Sequence, residues 1–552
     1  MLRPENSRKQ PLADHGSVKP ATATLSIVSC CLLSVLLAGE GAQAAPPDRK
    51  DTLIVLLEAG PNSLDIHGVG TNRAAYGTSW NVYDRLLTHG TKKLKDGTLS
   101  YDYSVLKPEL AQSWEVAPDG MSVTLKLRKD AKFHDGTPVT ADDVKWSFDR
   151  AVTVGGFPTF QMKAGSLEKP EQFVVVDPHT FKITFLRKDK MTLPDLAVPV
   201  PVIINSKLAK SHATEKDPWA LDWLKNNTAA GGAYTVASWK PGQEMIYVRN
   251  DDWKSGPLPK IKRVIVKEVP SASAQLALLK RGDADMAFGL APKDAQTLAD
   301  AGLKVVTTPV ENATWYVGMN VTKPPFDNVK VRQAIAYVLP YQKIMDSVLY
   351  GRGIKLYGAG SATPTEAAWP QPHPYSTDLD KAKKLMAEAG VTTIETTLSV
   401  DQGSAAIGEP LAVLMQESLA QIGIKVTINK IPGANWRSAL LKKDMPLIVN
   451  TMGGWLNYPE YFFFWSYHGQ NAVFNTMSYK NPSLDKLVDA ARFETNPKKY
   501  SSEVKEFVKI AFTDVPRIPI FQPVQDLAMQ GGITGYQYWF HRQLDLRQLA
   551  KN

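Results

Sequence analysis

Short runs of β-branched and aliphatic residues alternate with amphipathic helical stretches along almost the whole chain, and this alternation restricts the fold more than any other feature. Leu53 to Leu57 predicts a buried strand. Val123, Leu125 and Leu127 alternate with polar residues, as do Phe181, Ile183 and Phe185, which predicts half-buried strands. Thr140 and Asp143 have the spacing of a capping box, and Val144 and Phe148 then share one helical face. Ser271 caps a helix running to Arg281, and a short strand follows over residues 285–288. Val331, Ala334, Ile335 and Val338 form a helical stripe. A helix over 380–389 stops at Gly390, and a strand follows over 396–400. Next come a helix over 410–421, a strand over 424–428, a helix over 498–512 and a strand over 518–521. Strands alternating with helices predict α/β units around parallel sheets.

Two extended, proline-containing segments, 305–311 and 514–521, interrupt this pattern. Proline disfavours helix in the residue before it. The pair therefore reads as a double crossing between two lobes, a hinge with a cleft. In open α/β sheets, ligands bind beyond the carboxyl ends of the strands. The expected division is residues 1–44 as an export segment, 45–308 as the first lobe, 309–513 as the second, and 514–552 returning to the first. An extra subdomain is expected at about 90–205.

The amino terminus carries Arg3, Arg8, Lys9 and Lys19, then an apolar run over 21–38, then Ala42 and Ala44 at small-x-small spacing. These are the parts of a secretory signal peptide, cleaved before Ala45. An uncleaved anchor is the alternative, as is a lipoprotein through Cys30. Against the lipoprotein, the apolar run continues past that cysteine. The two cysteines of the chain, Cys30 and Cys31, both lie in this run. Cleavage leaves a body without cysteine, which excludes a disulfide framework or a cysteine-ligated zinc site. The formal net charge of +9 comes from scattered pairs such as Lys92-Lys93 and Lys442-Lys443. No run has the form of a nucleic-acid arm.

Catalytic motifs are missing. The chain contains no G-x-S-x-G, no H-E-x-x-H and no phosphate-binding G-x-x-x-x-G-K-[ST]. Histidines 67, 89, 134, 179, 212, 373, 468 and 541 have no i, i+3 or i, i+4 pair, so none is read as a metal ligand and no cofactor is expected. Each is read as structural or exposed.

One block is specific. Ala111-Gln-Ser-Trp114, Pro118-Asp-Gly120 and the stretch Leu125-Lys-Leu-Arg128 to Phe133-His-Asp-Gly136-Thr-Pro138-Val-Thr-Ala-Asp-Asp-Val144 resemble the signature of the family 5 extracellular solute-binding proteins. These are peptide, nickel and opine receptors of ATP-driven importers. Further similar blocks are Ser63-Leu-Asp65, Asn81 to Leu86, Gly231 to Tyr234, Trp239 to Gly242, Arg249 to Trp253, Leu279 to Asp285, Val331 to Ile335, Lys381-Ala382 and Ile422 to Ile424. The resemblance implies a two-lobed α/β periplasmic binding protein of type II, cluster C-like, with an extra subdomain in the first lobe. Phe133 and Trp114 read as core rather than ligand contacts.

Residues 452–460 resemble a family loop in which peptide-binding members place an aspartate against the ligand's α-ammonium. The matching position is Asn457, which is neutral and so favours a sugar, opine or capped peptide over a free amino terminus. Trp455, Asn457, Tyr458 and Met452 are the expected ligand contacts on the second lobe, with Trp436, Trp315 and Tyr316. On the first lobe, Glu58 and Asn62 follow the opening strand, and Tyr76 closes over them. The expected function is a periplasmic, monomeric receptor that delivers a short peptide to a membrane permease after hinge closure. A sugar, glycoside or opine receptor is the alternative, and a secreted hydrolase or a sensing protein is the rival.

Overall fold

A computed structural model describes residues 49–68, 70–470 and 474–552, with Ala434 described by its backbone alone. The expected signal segment, with Cys30 and Cys31, lies outside the described residues. No helix among those described is long and apolar enough to cross a membrane.

Two sheets form the two lobes. The first has seven strands, in the order Lys304–Pro309, Val524–Met529, Met286–Phe288, Thr52–Leu57, Arg263–Glu268, Glu244–Arg249 and Tyr234–Lys240. The second has six: Ile354–Lys355, Arg517–Gln522, Ala313–Met319, Leu447–Gly453, Ile394–Asp401 and Ile424–Ile431. Both are mixed, which corrects the parallel expectation. Thr52–Leu57 runs parallel to its two neighbours, as Ile394–Asp401 does to its own, while the remaining pairs are antiparallel. The reason is local: Gly242 at φ 76° turns Tyr234–Lys240 back onto Glu244–Arg249 as a hairpin, and tight turns can only join antiparallel strands.

The chain crosses between the lobes twice, side by side. The Val310 N–H donates to the Pro523 carbonyl at 3.0 Å, and Gln522 Nε2 donates to the Val310 carbonyl at 2.9 Å. Arg517–Gln522 pairs within the second sheet, so the return begins after it, nine residues beyond the boundary expected at 514.

A separate four-stranded antiparallel sheet contains Ala111–Val116, Ser122–Leu127, Thr180–Thr184 and Phe173–Asp177. Val123, Leu125, Leu127, Phe181 and Ile183 are all buried in it. Helix Ala141–Thr153 packs across, started by the capping box of Thr140 and Asp143, and Gly156–Ala164 follows. Helix Ala405–Ala420 carries Pro410 in its interior rather than at its start. Helix Leu379–Glu388 stops where Gly390 takes φ 68°, in open space with no neighbour for an added Cβ. Gly390→Ala is therefore expected to cost only the left-handed strain, about 1–2 kcal/mol, measured by urea denaturation. A neutral result would mean that the turn relaxes out of that conformation.

Candidate functional site

A cavity of about 340 Å³ opens between the lobes. Arg73 and Tyr76, from the start of helix Ala75–Val82, and Phe157 and Gln161, from helix Gly156–Ala164, form one side. The facing side comes from strands Ala313–Met319 and Leu447–Gly453 and helix Gly433–Lys442.

The second-lobe wall is a hydrogen-bonded unit. Tyr316 and Asn450 are paired across the antiparallel strands, which puts their side chains on the same face. Asn450 Nδ2 donates to the Tyr316 hydroxyl at 3.0 Å. The Trp436 indole N–H donates to Asn450 Oδ1 at 3.2 Å, and the Thr451 backbone N–H to the same oxygen at 2.9 Å. The Arg517 guanidinium stacks on Tyr316, 4.0 Å from its ring centre. Three side chains with few rotamers are thereby locked before any ligand arrives, which reduces the ordering cost of binding. The Thr451 hydroxyl is buried with no partner among the described residues, and it lines the cavity.

Trp455 joins the two sides. Its ring stands edge-on to Tyr76 and to Phe157, each with centroids 5.0 Å apart. Nearby the Tyr461 hydroxyl donates to Gln161 Oε1 at 3.1 Å. Farther out, Arg492 pairs with Asp189 at 2.5 Å and Lys190 with Glu460 at 2.6 Å. These contacts tie the second lobe to the subdomain of the first.

Of the expected contacts, Tyr76, Tyr316, Trp436, Met452 and Trp455 line the cavity. Trp315 does not. Successive residues of a strand face opposite ways, so Trp315 turns into the second-lobe core and stacks on Phe521 at 5.9 Å. Asn457 and Tyr458 line a different hollow, with Tyr103, Lys190, Trp369 and Tyr500. There the Lys190 ammonium lies 3.9 Å from the Tyr500 ring centre and 5.5 Å from that of Tyr458. Glu460, the carboxylate of that loop, is engaged by Lys190 and by the Tyr500 hydroxyl at 3.0 Å. Glu58 is exposed. Asn62 is exposed as well and works within its loop: its Nδ2 donates to the Gly70 carbonyl at 3.0 Å, and its Oδ1 accepts the Asn72 N–H at 2.9 Å. That loop leads directly to Arg73.

Several lining residues went unanticipated: Arg73, Phe157, Gln161, Asp401, Arg437, Asn450 and Thr451. Asp401 was within reach, because it ends strand Ile394–Asp401 at its carboxyl edge. Asn450 and Thr451 were too, as polar residues breaking the apolar run 447–449. Among the described residues, Asp401 is the one carboxylate lining the cavity. Its oxygens accept the Gly403 N–H at 2.8 Å and the Ser404 hydroxyl at 3.4 Å.

Residues 105–474 match the family described as bacterial extracellular solute-binding proteins, family 5 Middle. The chain is 29% identical over 517 residues to the "Probable D,D-dipeptide-binding periplasmic protein DdpA" of Escherichia coli, covering 92% of this chain and 95% of that protein. It is 27% identical over 553 residues to "Heme-binding protein A" of Haemophilus influenzae, covering 94% and 95%. Among solved structures, the periplasmic binding protein DppA of Helicobacter pylori, in complex with the peptide STSA, superposes with a TM-score of 0.75. Its identity is 20%, covering 91% of this chain and 98% of that one. MoaA of A. tumefacien R10, in complex with mannopinic acid, also gives 0.75, at 24% identity and 91% and 100% coverage.

Proposed function

This chain belongs to the family 5 bacterial extracellular solute-binding proteins, and from that premise we propose that it is the periplasmic receptor of an ATP-driven importer, capturing a short peptide between its lobes. The observation that carries the reading is the cavity of about 340 Å³ walled by both lobes, at the low end of the size range of small-molecule sites. Its aromatic walls, Tyr76, Phe157, Trp436 and Trp455, supply apolar contact. Asp401 is the group available for an α-ammonium. Closure follows from selection: the solute touches both walls only when the lobes approach, so binding shifts the population toward the closed state. The receptor works without turnover, as a monomer, and hands its solute to a membrane permease.

The test is a thermal-shift panel of dipeptides and tripeptides with small-angle scattering of the same samples. A bound peptide at 100 times its dissociation constant adds about 2.7 kcal/mol and should compact the molecule. Stabilisation without compaction would remove the hinge mechanism, and release of free amino acids would replace the receptor with a hydrolase. A second reading, an opine or sugar-acid receptor, draws on the mannopinic acid complex of MoaA. Mannopinic acid therefore belongs in the panel.

A further inference from the structure

We propose that this cavity selects solutes of net negative charge, with Arg73 and Arg437 as the groups that receive their carboxylates and Arg542, behind the wall, adding to the positive field. The inference rests on the receptor reading above and names the substrate class of the same site.

The three guanidiniums come from widely separated parts of the chain. Arg73 precedes helix Ala75–Val82, Arg437 lies on helix Gly433–Lys442, and Arg542 belongs to the carboxyl-terminal return. Arg73 and Arg437 line the cavity mouth and are exposed there. Arg542 stands behind the lining residue Gly453, close enough that a Cβ added there would meet its Nη2 at 2.5 Å. The positive charge of all three is felt at the Tyr76 hydroxyl. The Arg73 guanidinium carbon is 6.0 Å from the Tyr76 ring centre, and that of Arg437 is 5.7 Å from the Phe474 ring.

None of the three is paired with a carboxylate among the described residues. Elsewhere in the first lobe, Arg85, Arg150 and Arg547 each hold one, at 2.7, 2.6 and 2.8 Å. Arg542 Nε is buried with no acceptor among the described residues. Burial, and then Arg73 beside it, press the Arg542 guanidinium down to about 9. Against these cations, on the lining or behind it, the cavity sets one carboxylate among the described residues, Asp401, which already accepts two hydrogen bonds.

A cleft lined by one sign of charge focuses its field and speeds the arrival of the opposite sign. Guanidinium then binds carboxylate through paired N–H donors. The arrangement also couples charge to closure. Arg437 belongs to the second lobe, Arg73 and Arg542 to the first. Closing an empty cleft brings like charges together, and an anion between them reverses that term, so an anionic solute favours the closed state more than a neutral one of the same size.

Calorimetry with alanyl-glutamate, alanyl-alanine, alanyl-lysine and mannopinic acid, at about 50 and about 300 mM salt, tests this. Alanyl-glutamate is expected to bind about tenfold or more tighter than alanyl-alanine, with the advantage shrinking at high salt. Arg437→Gln and Arg542→Gln should each weaken anionic ligands by about tenfold to a hundredfold and alanyl-alanine far less. Gly453→Ala, which displaces Arg542 without removing its charge, should lower the same affinities. Circular dichroism confirms that each variant folds. Equal binding of the three dipeptides would overturn the charge selection and leave the peptide reading in place. Binding of mannopinic acid alone would keep the selection and remove the peptide reading. A folded protein that binds no anionic member overturns the inference.

Discussion

Asp545→Ala should be the most damaging single substitution outside the cavity, lowering stability by about 3–5 kcal/mol in chemical denaturation. Asp545 is buried at 2% exposure, yet its carboxyl is held down at about 2, because Arg547 and the Trp80 indole outweigh the burial that would raise it. Arg547 grips it with two donors, at 2.9 and 2.8 Å, and Trp80 Nε1 donates to it at 3.1 Å. Arg85 stacks on the same indole at 3.8 Å and pairs with Glu109, which Arg547 also approaches at 3.4 Å. The network clamps the returning tail onto the first lobe. Removing Asp545 leaves the buried Arg547 guanidinium with only Glu109, which Arg85 already holds, and an underpaired buried charge costs more than the pair itself contributes. The double variant Asp545→Ala with Arg547→Leu should therefore recover part of the loss. A single variant as stable as the parent would show that water reaches Arg547 and that the tail is not held by this network.

That clamp joins residues 465 positions apart, and nothing in local periodicity reports such a partnership. What periodicity does report is which face of an element is buried. Val123, Leu125 and Leu127 are buried because their strand has a core on one side, and alternation is the direct imprint of that. Thr140 with Asp143 is likewise a local bond, readable at three-residue spacing. Strand direction is different. Whether Glu244–Arg249 returns beside Tyr234–Lys240 or crosses over is decided by a short turn, so a mixed sheet read as a parallel one. The resemblance blocks gained meaning only in space. Asp84, from one block, accepts the Trp253 indole N–H of another at 2.8 Å, and Asp65 takes two donors from Arg150 of the signature helix, at 2.9 and 2.6 Å.

The cavity was legible in part for the same reason. Rings crowd residues 455–465, and Trp455, Tyr461 and Trp465 of that stretch line the cavity. Sequence neighbours in an extended segment, however, cannot all face one way. Tyr316 entered the wall and Trp315 the core. Trp455 reached the cavity while Asn457 and Tyr458, two and three residues on, turned to the neighbouring hollow. The arginines were invisible because their proposed role depends on having no carboxylate partner among the described residues, and that is a property of the folded surroundings alone.

Acidification from pH 7 to 5 should destabilise the protein, lowering its melting temperature on the order of 5 °C, and the cause is histidine burial. His67, His89 and His373 are each held down at about 4 by burial, and His541 lies well below the ordinary value for the same reason. His134 is lowered too. Two of them use the neutral ring structurally: Nδ1 of His373 accepts the Tyr375 N–H at 3.2 Å, and Nδ1 of His541 the Gln543 N–H at 3.1 Å. Adding a proton there replaces an acceptor with a donor. A base whose folded value lies below its unfolded one binds fewer protons when folded, so its contribution is lost as pH falls from about 6.5 toward 4. His67, His89 and His373 each contribute about 1.4 kcal/mol per pH unit in that window. Buried acids oppose this. Burial raises Asp84 to about 7 and Asp195 well above its ordinary range, so the folded state takes up protons there and gains stability on the same descent. Five lowered histidines against chiefly these two raised acids leave a net loss of stability as the pH falls through this window. Below about pH 4 the sign stays the same, because Asp65 and Asp545 are depressed by Arg150 and Arg547 despite their burial, and their contributions vanish as they protonate. Thermal melts at pH 7, 6 and 5 check the first window. A melting temperature that holds steady or rises toward pH 5 would mean that Asp84 and Asp195 outweigh the histidines.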